Sequence, residues 1–172
     1  GWLAFRRVLF RSMNLGDVCT RSGGYCNVVH GRPQPVDPNE PERVGRAVAL
    51  LKLAHVVITS VDRDDLPDSG ASAFAATLRA TRRARPACRI EVLIPDFRGQ
   101  ERALQTVLEA KPNVLNHNIE TVRRLYRTAR PAGRYDRALE LLLRAARSAP
   151  EIPTKSGLMV GLGETMDEVR ET

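Results

Sequence analysis

HVVITSVDRDDLPDSGASAFAATLRATRRARPACRIEVLIPDFRG, residues 55–99, holds one complete strand, helix and strand, and its reading decides the fold class. Residues 55–59 and 90–94 are short apolar runs, the composition of strands buried on both faces of a parallel sheet. Between them, residues 71–85 carry helical spacing and stop before Pro86, where the missing backbone N–H does no harm. A crossover of this length is what joins two parallel strands.

The same alternation continues in both directions. Further strands are expected at 13–15, 114–116 and 154–160, and further helices at 41–53, 100–110, 119–128 and 135–148. The fold class is therefore α/β, a parallel sheet with helices packed outside it. Five such units make either an arc of a barrel or an open doubly wound sheet, and periodicity does not choose between them.

At 172 residues the chain is long enough for one domain with a core, but short of the about 250 residues of a complete barrel. No apolar run approaches the roughly 20 residues needed to span a bilayer, so a soluble, cytoplasmic protein is expected, with no membrane partner. The net charge of +7 rests almost wholly on arginine, the only lysines being Lys52, Lys111 and Lys155. These arginines fall along predicted helices without interleaved aromatics, which argues against nucleic acid and leaves an acidic protein as a fitting partner.

Ligand sites in such sheets are built by the loops that follow the strands. Polar residues gather there at 60–65, 95–99, 117–120 and 161–164. Packing alone does not require that gathering. The loop after the first strand reads LGDVCTRSGGYCNVVHGRP, residues 15–33, with Cys19 and Cys26 seven residues apart. Clustered thiols of this kind suit iron–sulfur or zinc ligation. A C-x-x-x-C-x-x-C run would supply three ligands, and Gly23 stands at the middle position. Cys88 reads as a small core residue, His55 as core, His117 as a hydrogen-bonded structural histidine, and His30 as a neighbour of the thiol site. Asp62, Asp64 and Asp65 with Arg63 read as a charged loop in preference to a metal site.

The cysteine loop resembles that of the lipoyl synthase family of radical S-adenosylmethionine (SAM) enzymes. TSVDRDDLPDSGA from Thr59, IEVLIPDFRG from Ile90, VLNHNIETVRRLYRTARP from Val114 and IPTKSGLMVGLGET from Ile152 bear the same resemblance in the same order. The resemblance implies a partial (β/α)6 radical SAM barrel over 13–172, with about five strands present and both ends truncated. Residues 1–12 are then expected to be a foreign or disordered leader, since RVLFRS resembles a translated sequencing adapter.

Cys19 and Cys26 would be the first and third ligands of a 4Fe–4S cluster, with Gly23 leaving the second place empty. Tyr25, Thr59 and Ser60 are assigned to cofactor binding, Thr59 and Ser60 beside the SAM amino acid group. Asn118 and Glu120 would meet the ribose, and Gly161 and Gly163 the adenine. No catalytic side chain of the chain's own is implied. The implied reaction inserts two sulfur atoms into an octanoyl chain carried on a lysine of a lipoyl carrier protein. A reductant protein and a second, auxiliary 4Fe–4S cluster, whose ligands are absent here, complete the implied machinery. An impaired copy is expected; another radical SAM enzyme and a cluster-free carrier-binding protein stand as alternatives.

Overall fold

The computed structural model describes residues 10–172. In chain order it runs β1 (Phe10–Asn14), β2 (Val18–Cys19), β3 (Val29–His30), α1 (Glu40–Leu50), β4 (His55–Ser60), α2 (Ala71–Ala84) and β5 (Arg89–Leu93). It continues with α3 (Glu101–Glu109), β6 (Val114–Asn116), α4 (Tyr126–Ala129), α5 (Tyr135–Ser148), β7 (Thr154–Lys155) and α6 (Met166–Glu171).

The main sheet has the order β1-β4-β5-β6-β7, every neighbour parallel. Strand order climbs in one direction with no reversal, which is the signature of a barrel arc; a doubly wound sheet turns back at a switch point. Outward-facing Val56, Ile58, Ile90, Val92 and Leu115 join Phe74, Leu78, Val107 and Leu141 from the helices in one core. Phe74 and Phe97 meet edge to face at 6.2 Å within it. Cys88 packs in the same core, as expected for a small apolar side chain.

Alternation sends the other parity to the concave face. There Asn116 Nδ2 and Lys155 Nζ both donate to Glu91 Oε1 at 3.0 Å, and His55 Nε2 lies 3.6 Å from Glu91 Oε2. His55 is thus half-buried beside a carboxylate and outside the apolar core, which corrects its reading as a core residue.

Two glycines hold α1 and α2 in place. A Cβ at Gly45 would lie 2.9 Å from Ala80 O, so the helices approach closer than any side chain there allows. Gly70 opens α2 at φ 90°, a left-handed value costly for other residues, and a Cβ there would overlap Leu15 Cδ1. Pro41 in the first turn of α1, with Glu40 and Glu42, suits the exposed N–H groups and positive end of the helix.

Several boundaries differ from expectation. The helix expected over 41–53 ends at Leu50, and Lys52 takes a left-handed φ of 52°. The helix expected over 119–128 is absent from its first half. Glu120 at φ 73° forms an isolated parallel bridge with Leu158, its N–H donating to Gly157 O and its carbonyl accepting from Met159 N–H. Tertiary pairing has captured the backbone groups a helix would use, and only a 3-10 turn over Arg123–Leu125 and the single-turn α4 follow. The strand expected over 154–160 shrinks to Thr154–Lys155; beyond it the chain passes so close to Asn118 that a Cβ on Gly157 would lie 2.7 Å from its Oδ1. The leader expected over 1–12 lies outside the described residues for 1–9, while residues 10–12 pair with 56–58 in β1. Among the described residues, no helix is long and apolar enough to cross a membrane.

Candidate active site

The loops that follow the strands of the main sheet enclose an open cavity of about 190 Å³. Cys19, Cys26, Tyr25, Thr59, Ser60, Asn118 and Glu120 all line it. Seven of the nine predicted site residues, widely spaced in the chain, are brought together. Gly161 and Gly163 are not. They sit in an exposed turn at φ 100° and 102°, where the Glu164 carboxylate caps the Gly161 and Leu162 N–H groups and Arg124 donates to Gly163 O. Their positive φ serves that turn and does not bring the backbone to the cavity.

The two-residue ladder of β2 and β3 sets Cys19 opposite His30 and starts the cysteine loop. His30 is exposed and does not line the cavity, so the expectation that it neighbours the thiols holds only for its backbone. Cys26 N–H donates to Gly23 O at 3.0 Å, closing a tight turn over 23–26. Gly24 N–H donates to Ala129 O at 3.0 Å, so this turn leans on the end of α4. Gly23 needs no left-handed backbone, and a Cβ built on it would lie 3.3 Å from Cys26 Cβ. A side chain at position 23 therefore shares the space beside the Cys26 thiol.

Cys19 is buried, and its Sγ lies 3.8 Å from Asp62 Oδ2 and accepts from Arg21 N–H at 3.4 Å. Burial pushes its thiol pKa up, and the Arg21 N–H only partly opposes that. Burial likewise raises Asp62 and Glu120, against the pull of Arg21 on the first and Arg130 on the second. Tyr25 is raised by burial and by the Glu120 charge.

Arg21 was missed by sequence reading and organises the rim. Its side chain is buried, with Nε at 2.5 Å and Nη2 at 2.7 Å from the two Asp64 oxygens, and Nη1 at 2.8 Å from Asp96 Oδ1 and 3.6 Å from Asp62 Oδ1. One guanidinium thus ties the cysteine loop to the loops after β4 and β5. Arg130, also missed, lies 3.8 Å from Glu120 across the cavity. Arg63 takes Asp65 in a two-pronged pair at 2.8 Å, so every carboxylate of the 62–65 loop faces an arginine. This agrees with its reading as a charged loop.

Thr59 Oγ1 donates to Leu93 O at 3.0 Å, bracing β4 against β5. His117 is 1% exposed and bonded through Nδ1 to Ile94 O at 2.8 Å; since a carbonyl only accepts, Nδ1 carries the proton. Burial holds its pKa down at about 4, so the ring is neutral. Among the described residues, Ser60 Oγ, Asp62 Oδ1 and His117 Nε2 are buried without a hydrogen-bond partner. Three such atoms in the wall of one cavity suit a polar ligand.

Residues 13–172 match the family model described as the radical SAM superfamily. The chain belongs to the radical SAM superfamily. Lipoyl synthase of Methylococcus capsulatus is 60% identical over 160 residues, covering 92% of this chain and 50% of that protein. Lipoyl synthase of Chloroflexus aurantiacus is 56% identical over 157 residues, covering 91% and 51%. The chain spans about half the length of the curated relatives it matches. Among solved structures, methylornithine synthase superposes with a TM-score of 0.70 at 14% identity, covering 95% of this chain and 48% of that one. BtrN in complex with AdoMet and 2-DOIA gives a TM-score of 0.50 at 16% identity, covering 86% and 57%. At these identities the structures establish a shared fold and nothing finer.

Membership of the radical SAM superfamily implies SAM and a 4Fe–4S cluster. The orphaned polar atoms and mixed donors of this radical SAM cavity suit SAM. They do not suit a cluster held by three thiolates: two sulfurs line the cavity, and no group of three or more His, Cys, Asp or Glu able to hold a metal ion occurs among the described residues.

Proposed function

We propose that this chain is part of a lipoyl synthase, acting on the octanoyl group of a lipoyl carrier protein in the cytoplasm with electrons from a reductant protein. The convergence of Cys19, Cys26, Tyr25, Thr59, Ser60, Asn118 and Glu120 on one cavity carries the reading. In it, Cys19 and Cys26 are two thiolate ligands of the 4Fe–4S cluster, Thr59 and Ser60 meet the amino acid group of SAM with Tyr25 nearby, and Asn118 and Glu120 take the ribose hydroxyls. Gly161 and Gly163, outside the cavity, receive no contact. No residue is assigned to the auxiliary cluster.

Sulfur insertion attacks unactivated C–H bonds, which acid–base side chains cannot open. The chemistry is the cofactor's, and the chain's share is placement and exclusion of water. Gly23 is the weak point, and we infer that the chain as written loads the primary cluster poorly.

Anaerobic reconstitution with iron and sulfide tests this. The parent chain is expected to retain little iron and little visible charge-transfer absorbance, and Gly23→Cys to gain both clearly. Position 23 accepts a Cβ if its neighbour yields a few tenths of an ångström, so the substitution is not blocked by backbone. No gain on restoration refutes the assignment of the loop. Carrier binding that survives iron removal, with no SAM cleavage even in the restored variant, supports a cluster-free carrier-binding protein instead.

A further inference from the structure

Beside the cavity the chain carries more arginine than its carboxylates neutralise. Residues 123–137 contain Arg123, Arg124, Arg127, Arg130, Arg134 and Arg137 against one acidic residue, Asp136. Four of these are engaged: Arg130 with Glu120, Arg137 with Asp96 at 3.1 Å, Arg124 with Glu168 at 2.7 Å, and Arg123 with Asp136 at 2.7 Å. Arg127 and Arg134 are exposed, and neither has a carboxylate partner among the described residues. Both line a wide depression of about 680 Å³ between α4 and the start of α5.

This depression borders the cavity mouth. The cysteine turn rests on its edge through Gly24 and Ala129, and Arg130 and Ala132, from the segment joining α4 to α5, line the cavity itself. Its aromatic rings are already covered. Tyr126 is buried edge-on against Tyr135 at 5.6 Å, and the Arg123 guanidinium lies over the Tyr135 ring at 4.4 Å. Nucleic-acid bases need open ring faces to stack on, and here one ring is buried and the other is already stacked by a guanidinium. A surface of uncompensated positive charge without a stacking platform fits a folded acidic protein.

We propose that the arginine face around Arg127 and Arg134 docks an acidic carrier domain, so that its acyl-bearing lysine arm enters the adjacent cavity. The proposal rests on the carrier reading given above and adds the surface that recognises the carrier. Charges at the rim of such an encounter act mainly on association rate and are screened by salt.

The test measures binding of an acidic, octanoylated lipoyl carrier domain to the full chain across a salt series. The parent is compared with Arg127→Glu/Arg134→Glu and with a control reversal on α1, Arg46→Glu. The double reversal is expected to weaken binding about tenfold or more and to flatten the salt dependence, with the control within about twofold and thermal melts unchanged. If the parent binds the carrier and both reversals behave alike, this surface is wrong and the carrier reading survives. If the parent does not bind the carrier at any salt concentration, that reading falls and the proposal with it. If a single-stranded RNA competes for the same arginines, the face is a nucleic-acid surface and the proposal is overturned.

Discussion

Replacing Arg21 by methionine removes the guanidinium from the rim while keeping most of its volume. Its side chain is 7% exposed, and the Asp96 side chain it faces is 4% exposed, so the pair is shielded from water. Deleting one partner of a buried pair typically costs about 3–5 kcal/mol, because the other charge is left behind. Asp96 retains Arg137 at 3.1 Å and the Arg98 N–H at 3.0 Å, which places the expected loss at the lower end, about 3 kcal/mol. For a chain of this size that is a fall of about 6–12 °C in Tm.

The pH dependence follows from Asp96. Burial pushes its pKa up, but Arg21 and the hydrogen bonds from Arg98 and Arg137 outweigh that and hold it below the ordinary carboxylate value. A depressed carboxylate stabilises the fold above its unfolded pKa, about 4, and that share is lost as pH falls through the folded value. Arg21→Met should therefore show its deficit at neutral pH and a smaller one in acid. Urea denaturation of the parent, Arg21→Met, Asp96→Asn and the double variant completes a cycle. Asp96→Asn should cost less in the Arg21→Met background than in the parent, since one of its two arginine partners is already gone there. A cost for Arg21→Met below about 1 kcal/mol, the level of an exposed ion pair, or strict additivity in the cycle, refutes the account.

Other expectations follow from single contacts. Iodoacetamide should modify Cys26 alone in the folded chain and reach Cys19 and Cys88 only after unfolding, by intact mass; rapid native labelling of two thiols contradicts the geometry. Gly45→Ala should cost about 1–3 kcal/mol in urea melts despite the roughly 1 kcal/mol gained in helix propensity, because its Cβ meets the Ala80 carbonyl; a stabilised variant contradicts this packing. The His117 ring protons should hold constant NMR shifts from pH 8 down to 5, because burial keeps its pKa at about 4. An unfolded histidine titrates near 6.5, so this residue should make the fold lose stability as pH falls from 6.5 to 4; a midpoint for His117 near 6.5 contradicts its burial.

The alternation of strands and helices was legible because buried parallel strands are apolar throughout and helices are not, as residues 55–99 illustrate. Barrel against open sheet was not legible, since that depends on which strands pair, and pairing leaves no mark on periodicity. The helix expected over 119–128 failed for a related reason: Glu120 spends its backbone groups on the segment around Leu158, a contact no local window contains. Of the cavity, the lining by the thiols and the polar strand-end residues could be read, because loops after parallel strands meet at one end of the sheet. Arg21 and Arg130 were hidden by abundance, for in a chain this rich in arginine a buried guanidinium looks like any solvated one. For Gly161 and Gly163 the pattern is ambiguous, because the glycine spacing of a backbone approaching a ligand is also that of a turn closed by Glu164, and here that turn lies outside the cavity.

The joint made by Arg21 also sets a timetable for folding. Its nearest carboxylate is 43 residues further along the chain, and Asp96 lies beyond the whole of β5. Closing loops of that size is entropically slow compared with forming a helix. The thiol-bearing loop should therefore acquire its anchor only after β4 and β5 are laid side by side, and pulse-labelled hydrogen exchange should find the Arg21 amide protected no earlier than those strands. A nascent chain released before Asp62 and Asp64 emerge would carry its cysteines on an untethered arm, open to oxidants that the finished rim keeps from Cys19.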